Sequence, residues 1–170
     1  MATSIREAMI RQLDDELPRT RRTLERVPDD RWTWRPHAKS TPMGHLAAHV
    51  ATLPVLVPGV LTTETLDLAT RRSMVPEVAS AAALVPTCER LYQQARDALT
   101  AVRDEDLFVS WVLLAGGRPV APPAPRYTAL NTFFFSHVVH HRAQLGVYLR
   151  LLDIPVPAVY GPSADEPILL

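Results

Sequence analysis

Four stretches of this sequence place apolar side chains three and four residues apart, and this spacing limits the folds that the chain can adopt. Such spacing puts the apolar side chains on one face of an α-helix, and that face must be buried against another element. Prolines rather than glycines separate the stretches, since the chain has 16 Pro and 6 Gly. The pattern predicts an all-α fold in which four helices pack around one core, and 170 residues suit a single domain over 1–170.

Capping residues and prolines predict where these helices begin and end. The first helix starts at Ser4 and ends before Pro28, and the second has Thr41 as its N-cap and Pro42 as its first helical residue. The third is capped near Ser80, and the fourth covers about 128–152. Prolines inside the first three helices predict kinks or ends there, because each removes a backbone hydrogen bond: Pro18, Pro54, Pro58 and Pro86.

Two segments outside the four helices also have a predicted structure. Residues 107–125 contain two apolar stretches around Gly116 and Gly117, which favours a short hairpin because glycine tolerates the positive φ of a tight turn. The proline cluster that follows favours an irregular crossing between the third and fourth helices. The tail beyond Pro155 is too rich in proline for a helix, and we expect it to pack on the helices.

Composition narrows the classes of partner and compartment. The 18 basic and 18 acidic side chains balance, so no overall field attracts nucleic acid or a membrane surface, and we expect neither as a partner. The N-terminus is unlike a signal peptide, and no uninterrupted apolar run is expected to approach membrane-spanning length. Cys88 is the one cysteine and excludes an internal disulfide, which favours the cytoplasm; its place in an apolar stripe predicts a core residue.

Histidines in the apolar stripes are the strongest candidates for a functional site. His137 and His141 lie four residues apart on the fourth helix, so both imidazoles can reach one ion, whereas His140 is better placed at the rim. On the second helix His49 borders the apolar stripe and His45 is turned away, so His49 is the preferred third ligand. Spacing alone leaves the alternative open that these are hydrogen-bonded core or surface histidines.

Three imidazoles from two facing helices have the ligand number of a catalytic zinc site, with a position left for water or substrate. The ion would lower the pKa of bound water or stabilise a thiolate. Zinc or nickel suits imidazole best, and iron or manganese is possible. Arg142 and Gln144 flank the ligand pair and are candidates for holding a carboxylate or thiol substrate, although helix residues in such positions are usually solvated. His45 and His140 are further candidates for contacting the substrate or supporting the ligands.

Three separated motifs resemble the DinB/YfiT-like family. These are the segment 34–49, which ends in Gly-His-Leu-Ala-Ala-His; the segment 137–150, similar to the family's H-x-x-x-H-R-G-Q-L pattern; and the closing segment 156–166. Position 143 departs from the pattern, since Ala143 replaces glycine and adds a methyl group near the site. The resemblance covers roughly residues 32–166, and the order of the motifs makes it more specific than a histidine pair.

This resemblance implies an up-down-down-up four-helix bundle, often a homodimer, with His49, His137 and His141 as the metal ligands. It also implies a metal-dependent thiol S-transferase or isomerase that uses a low-molecular-weight thiol. We therefore expect a thiol S-transferase, or a hydrolase-like activity, that acts on a small electrophilic substrate at the three-histidine site. No general base is evident from the residues. The alternative is therefore a non-catalytic module, metal-bearing or purely helical, that dimerises through its helices.

Overall fold

Long helices dominate the computed structural model, which describes residues 4–71 and 75–167. Helices make up 61% of the structure, and a small mixed sheet of four strands accompanies them. The prediction of an all-α fold is therefore right about the dominant elements and wrong about the sheet. The first strand is only three residues long, which is too short to show the alternation by which a strand is recognised.

The longest helices pack on one another around a shared apolar core. The helices are α1 (Ile5–Leu24), α2 (Met43–Thr52), α3 (Leu56–Thr62), α4 (Leu68–Arg71), α5 (Ala81–Ala101), α6 (Arg126–Leu130) and α7 (Ser136–Leu151). Short 3-10 helices cover Asp29–Arg31, Leu53–Val55 and Glu105–Phe108, and a π-helix at Asn131–Phe135 joins α6 to α7. α5 packs against α1 and α2, and α2 packs against α7, which places α2 and α7 side by side.

The start of α1 is as predicted and the start of α2 is shifted by one residue. Ser4 and Glu7 form a capping box, with the Glu7 amide 3.2 Å from the Ser4 hydroxyl. α1 remains one helix through Pro18 and ends before Pro28. The predicted N-cap Thr41 is wrong, because Pro42 occupies that position with extended backbone.

Backbone carbonyls of the preceding loop replace a side-chain cap at the start of α2. The Met43 amide donates to the Trp34 carbonyl at 2.8 Å, and the Gly44 amide donates to the Trp32 carbonyl at the same distance. Two of the amides that lack a partner within the helix are thereby satisfied. The loop that contains the two tryptophans thus fixes where α2 begins.

One helical segment corrects the expectation about membrane-spanning length. Met43–Thr62 is 20 residues long, and a stretch of 18 residues within it has a mean hydropathy of 1.5, so by length and composition it could span a membrane. However, 72% of this apolar stretch is buried inside the protein. The helices α2 and α3 within it pack against α5. A core helix passes the same test, and burial accounts for the apolar character here.

The small sheet is built around its second strand. The strands are β1 (Thr65–Asp67), β2 (Ser110–Ala115), β3 (Arg118–Pro119) and β4 (Ala124–Pro125). β2 pairs with β1 in parallel and with β3 and β4 in antiparallel orientation. The predicted hairpin is confirmed, with φ of 58° at Gly116 and 78° at Gly117 in its turn. The Asp67 carboxylate accepts both turn amides, at 3.0 and 2.7 Å, and so ties β1 to the hairpin.

The tail packs on the helices, as predicted. Ala158 is buried, and Asp165 forms an ion pair with Arg150 of α7. Glu166 forms ion pairs with Arg22 of α1 and with Arg26, which lies just beyond the end of that helix. The tail is therefore held to both α1 and α7 by its two acidic residues.

Gly44→Ala is expected to destabilise the fold by about 1–3 kcal/mol, which is the usual cost of overpacking. A Cβ atom at position 44 would lie 2.2 Å from two ring atoms of Trp32, so the indole would have to move. Urea unfolding would measure the loss. Gly59→Ala in α3 is the matched control, because the nearest atoms to a Cβ there belong to the Leu66 side chain and are 3.9 Å away. Equal stability of the two variants would contradict the prediction.

Candidate metal centre

Three histidines from α2 and α7 converge on a common point between the two helices. His49 comes from α2, and His137 and His141 come from successive turns of α7. The Nε2 atoms of His49 and His137 are 3.4 Å apart, and those of His137 and His141 are 2.8 Å apart. One ring nitrogen of each lies within 4.8 Å of the other two, and all three residues are partly buried. The predicted convergence is confirmed, whereas ion binding by these residues stays a prediction.

The spacing of these nitrogens can be compared with that of a real metal site. A tetrahedral zinc ion with Zn–N bonds of about 2.0–2.1 Å separates its ligand nitrogens by roughly 3.3 Å. The distance between His49 and His137 matches this value, and the distance between His137 and His141 is shorter by about 0.5 Å, which a small side-chain rotation removes. An all-imidazole set suits zinc, nickel or iron better than magnesium or calcium, which prefer oxygen. The residues present therefore fit a transition-metal ion.

A π-helical turn supplies a hydrogen-bond partner for His137. In Asn131–Phe135 the backbone bonds reach five residues back, as from the Ser136 amide to the Asn131 carbonyl. The Phe133 carbonyl lies 3.3 Å from Nδ1 of His137, so Nδ1 donates to it. Donation from Nδ1 puts the lone pair on Nε2, the nitrogen that faces the other two histidines and would bind an ion. The spacing of apolar residues did not predict this π-turn, and such turns occur often at functional sites.

Gln144 plays the same part for His141. Its side-chain oxygen lies 2.8 Å from Nδ1 of His141, which is a good hydrogen-bond distance. With Nδ1 as donor, the Nε2 atom of His141 is the ligand atom that faces the group. Of the two residues proposed to flank the ligand pair, Gln144 thus does contact it.

Arg142 does not line the histidine site, which corrects both its predicted substrate role and its predicted solvation. Its side chain is 3% exposed and points toward α1, where it pairs with Glu16 at 2.7 Å. It also donates to the hydroxyl oxygens of Thr20 and Tyr160, each at 2.9 Å. One residue turns a helix by about 100°, so the neighbour of His141 faces another helix.

Glu16 is the buried partner of Arg142, and the residue pattern was not used to predict it. It occupies the apolar face of α1, at helical spacing from Met9, Leu13 and Thr20, and is 3% exposed. A carboxylate within an apolar stripe is rarely buried without a cation, so its position was the signal that a buried arginine exists.

The remaining candidates lie outside the group. His45, one turn before His49 on α2, is exposed. His140 is also exposed, with its ring 4.8 Å from that of His141, as expected for a residue at the rim. Cys88 is fully buried, and burial raises the pKa of its thiol to about 12, so it is a core residue and not a nucleophile.

Comparisons with known proteins identify a family and a fold. The sequence model of the DinB family matches residues 1–168. A DinB-like protein from Bacillus cereus is 22% identical with a TM-score of 0.70, and the match covers 94% of this chain and 100% of that one. A structure described as a member of the DinB family, from Exiguobacterium sibiricum, is 21% identical with a TM-score of 0.67, covering 93% and 98%.

A DinB-like protein from Bacillus subtilis is 16% identical with a TM-score of 0.68, covering 89% of this chain and 97% of that chain. At these identities the three solved structures show a shared fold and nothing about activity. A comparison with curated proteins finds no match.

Proposed function

This chain belongs to the DinB family, and from that premise we propose that it is a metal-dependent enzyme acting on a small electrophilic substrate. The observation that carries the proposal is the convergence of His49, His137 and His141 from two helices. Three imidazoles hold an ion while leaving it a position for a further ligand, which is the arrangement of catalytic sites rather than structural ones. Zinc or nickel is the proposed ion, with iron or manganese as the next candidates.

The proposed reaction is thiol S-transfer, with a low-molecular-weight thiol as cosubstrate, or hydrolysis of the same kind of electrophile. When bound, the ion supplies Lewis acidity, which lowers the pKa of a coordinated thiol or water. The chain itself supplies the orientation of the ligands: the Phe133 carbonyl fixes the tautomer of His137, and Gln144 fixes that of His141. All three histidines are only partly buried, so each keeps some contact with solvent.

A non-catalytic role is the second candidate, and one observation favours it. Among the described residues, the group that could hold an ion contains histidines only, so it includes no carboxylate that could act as general base. On this alternative the chain is a metal-bearing or purely helical module that dimerises through its helices.

An activity measurement on metal-loaded protein distinguishes the two candidates. Zinc- and nickel-loaded protein would be incubated with glutathione, mycothiol or bacillithiol and a reactive alkyl halide, and the thioether product followed by mass spectrometry. The proposal expects product above the uncatalysed rate, lost in His49→Ala and kept in His45→Ala, which removes an exposed histidine from the same helix. No turnover with any thiol, and no hydrolysis of the halide, would favour the non-catalytic module.

Gln144→Leu is expected to weaken metal binding by about 10–100-fold, the usual effect of losing a partner that orients a ligand. Leucine is similar in size but cannot accept the Nδ1 proton of His141, so the imidazole loses its fixed tautomer. Competition with a chromophoric chelator would give the dissociation constant. Gln144→Glu keeps an acceptor and should retain most of the affinity. Equal affinities for the leucine and glutamate variants would remove the orienting role.

The proposal extends to the assembly and surroundings of the protein. We propose an up-down-down-up four-helix bundle that forms a homodimer in the cytoplasm, binds a small-molecule substrate, and has neither nucleic acid nor membrane as a partner. The balanced charge of the chain and the burial of its apolar helix support the last two points.

A further inference from the structure

The helix that carries two of the histidines also forms the wall of a separate cavity on its opposite face. This cavity has a volume of about 340 Å³ and lies between α7, the tail segment 156–160 and Thr23 of α1. Ala143 of α7 lines it, so the methyl group that we expected near the histidine site faces this cavity instead. Ala143 is two residues beyond His141, which places it about 200° further round the helix. The cavity and the histidine group therefore occupy different sides of α7.

The walls of this cavity are mainly aliphatic. Valine, alanine and proline side chains form them, from α7 on one side and from the tail on the other: Val139, Ala143, Val147, Val156, Pro157 and Val159. Ligand sites are commonly concave and apolar with a few polar groups, and volumes from about 300 Å³ upward are typical of them. The cavity thus has the size and lining of a small-molecule site.

The charged groups at the edge of the cavity already have partners within the protein. Arg142 is paired with Glu16, and the hydroxyl of Tyr160 accepts from Arg142 while donating to Glu16. Arg150 is paired with Asp165. An anionic ligand would have to compete with these carboxylates for each arginine, whereas an uncharged ligand leaves both pairs intact. Because both arginines at its edge are already paired, the cavity suits an uncharged molecule.

The tail wall is fixed in place before any ligand binds. Arg22 of α1 donates to the Ala158 carbonyl at 2.9 Å, and the Asp165 carboxylate accepts the Val156 amide at 2.8 Å. These bonds satisfy backbone polar groups of the wall, so its aliphatic side chains can face the cavity without leaving those polar groups unpaired. A preformed wall lowers the ordering cost of binding.

We propose that this cavity binds an uncharged, mainly apolar small molecule of about 10–15 non-hydrogen atoms, independently of the histidine site. The size follows from volume, because an apolar cavity of about 150 Å³ accommodates benzene and this one is roughly twice as large. We infer that the ligand is uncharged because both arginines are already paired, and that it is mainly apolar because the cavity walls are aliphatic.

Two naphthalene compounds of similar shape and different charge test the proposal. 2-Naphthol is neutral at pH 7 and 2-naphthoate is an anion, and each would be titrated into isotope-labelled protein while backbone amide shifts are recorded by NMR. We expect 2-naphthol to shift the amides of Gly146, Val147 and Val156 saturably. 2-Naphthoate should bind at least about tenfold more weakly, because its carboxylate finds no free cation in the apolar cavity. No saturable shift with 2-naphthol, or equal affinity for both compounds, would overturn the proposal.

Variants locate the binding. Ala143→Leu puts a larger side chain into the cavity and should weaken 2-naphthol binding by at least about tenfold. Ala82→Leu makes the same change at an exposed position at the start of α5 and should have no effect. His141→Ala should also leave 2-naphthol binding unchanged, whether or not the protein holds metal. Equal binding by both leucine variants, or loss of binding in His141→Ala, would overturn the proposal. Analytical ultracentrifugation of Ala143→Leu checks a competing explanation. If 2-naphthol does not bind and this variant changes the mass of the sedimenting species, the cavity is part of an interface between copies of the chain, and the proposal fails.

Discussion

His137→Ala is expected to abolish stoichiometric metal binding and to raise the dissociation constant for the metal by at least about 100-fold. This increase is larger than the one expected when a residue that only orients a ligand is removed. His137 is the middle member of the group, since its Nε2 atom lies 3.4 Å from that of His49 and 2.8 Å from that of His141. Without it, two imidazoles from different helices remain. Elemental analysis of protein purified without a histidine tag would measure the metal content.

His140→Ala is the matched control for this experiment, because it removes an exposed imidazole from the same helix. Unfolding in the presence of a chelator shows whether the alanine at 137 has disturbed the fold itself. With free metal at about 100 times its dissociation constant, the native protein gains about 2.7 kcal/mol of stability, and the variant should gain none. If wild type and His137→Ala contain equal, substoichiometric amounts of metal, the three histidines do not form a metal centre.

Arg142→Met is expected to lower the free energy of unfolding by about 3–5 kcal/mol, the usual cost of breaking a buried ion pair from one side. The side chains of Arg142 and Glu16 are 3% and 4% exposed, so the variant leaves a carboxylate buried without its cation. The hydroxyl of Tyr160 also loses its donor. Denaturant unfolding would measure the change.

A second substitution and an exposed arginine give this prediction its controls. Adding Glu16→Leu to Arg142→Met should restore most of the stability, because the unpaired charge is removed and apolar side chains replace the pair. Arg150→Met, also on α7, breaks an ion pair whose arginine is 46% exposed and should cost only about 0–1 kcal/mol. If Arg142→Met costs no more than Arg150→Met, the buried pair is not important for stability.

The parts of the fold that the sequence predicted correctly depend on residues close together in the chain. The capping box at Ser4 needs only Glu7, three residues away, and the hairpin turn needs only Gly116 and Gly117. The same holds for His137 and His141, whose shared helix face follows from their spacing. Such features are visible without knowing what the helix packs against.

The parts that the sequence did not predict depend on contacts between distant segments. β1 exists because Thr65–Asp67 pairs with a strand more than 40 residues later in the chain. The cap of α2 comes from carbonyls of a loop, where a threonine hydroxyl was expected. The burial of Arg142 depends on Glu16, which belongs to the first helix, and its neighbour His141 gave no sign of that contact.

By itself the sequence determined that this chain forms amphipathic helices and that one helix presents two imidazoles on a single face. His49 was the preferred third ligand, but only the tertiary structure decided that it meets the pair on α7. Only the tertiary structure decided that Arg142 is buried against α1 and that a cavity lies on the far side of α7. The physical reason is that helical period fixes the angular position of each side chain around its own axis. Which neighbouring helix meets that side chain is set by the packing of the whole core.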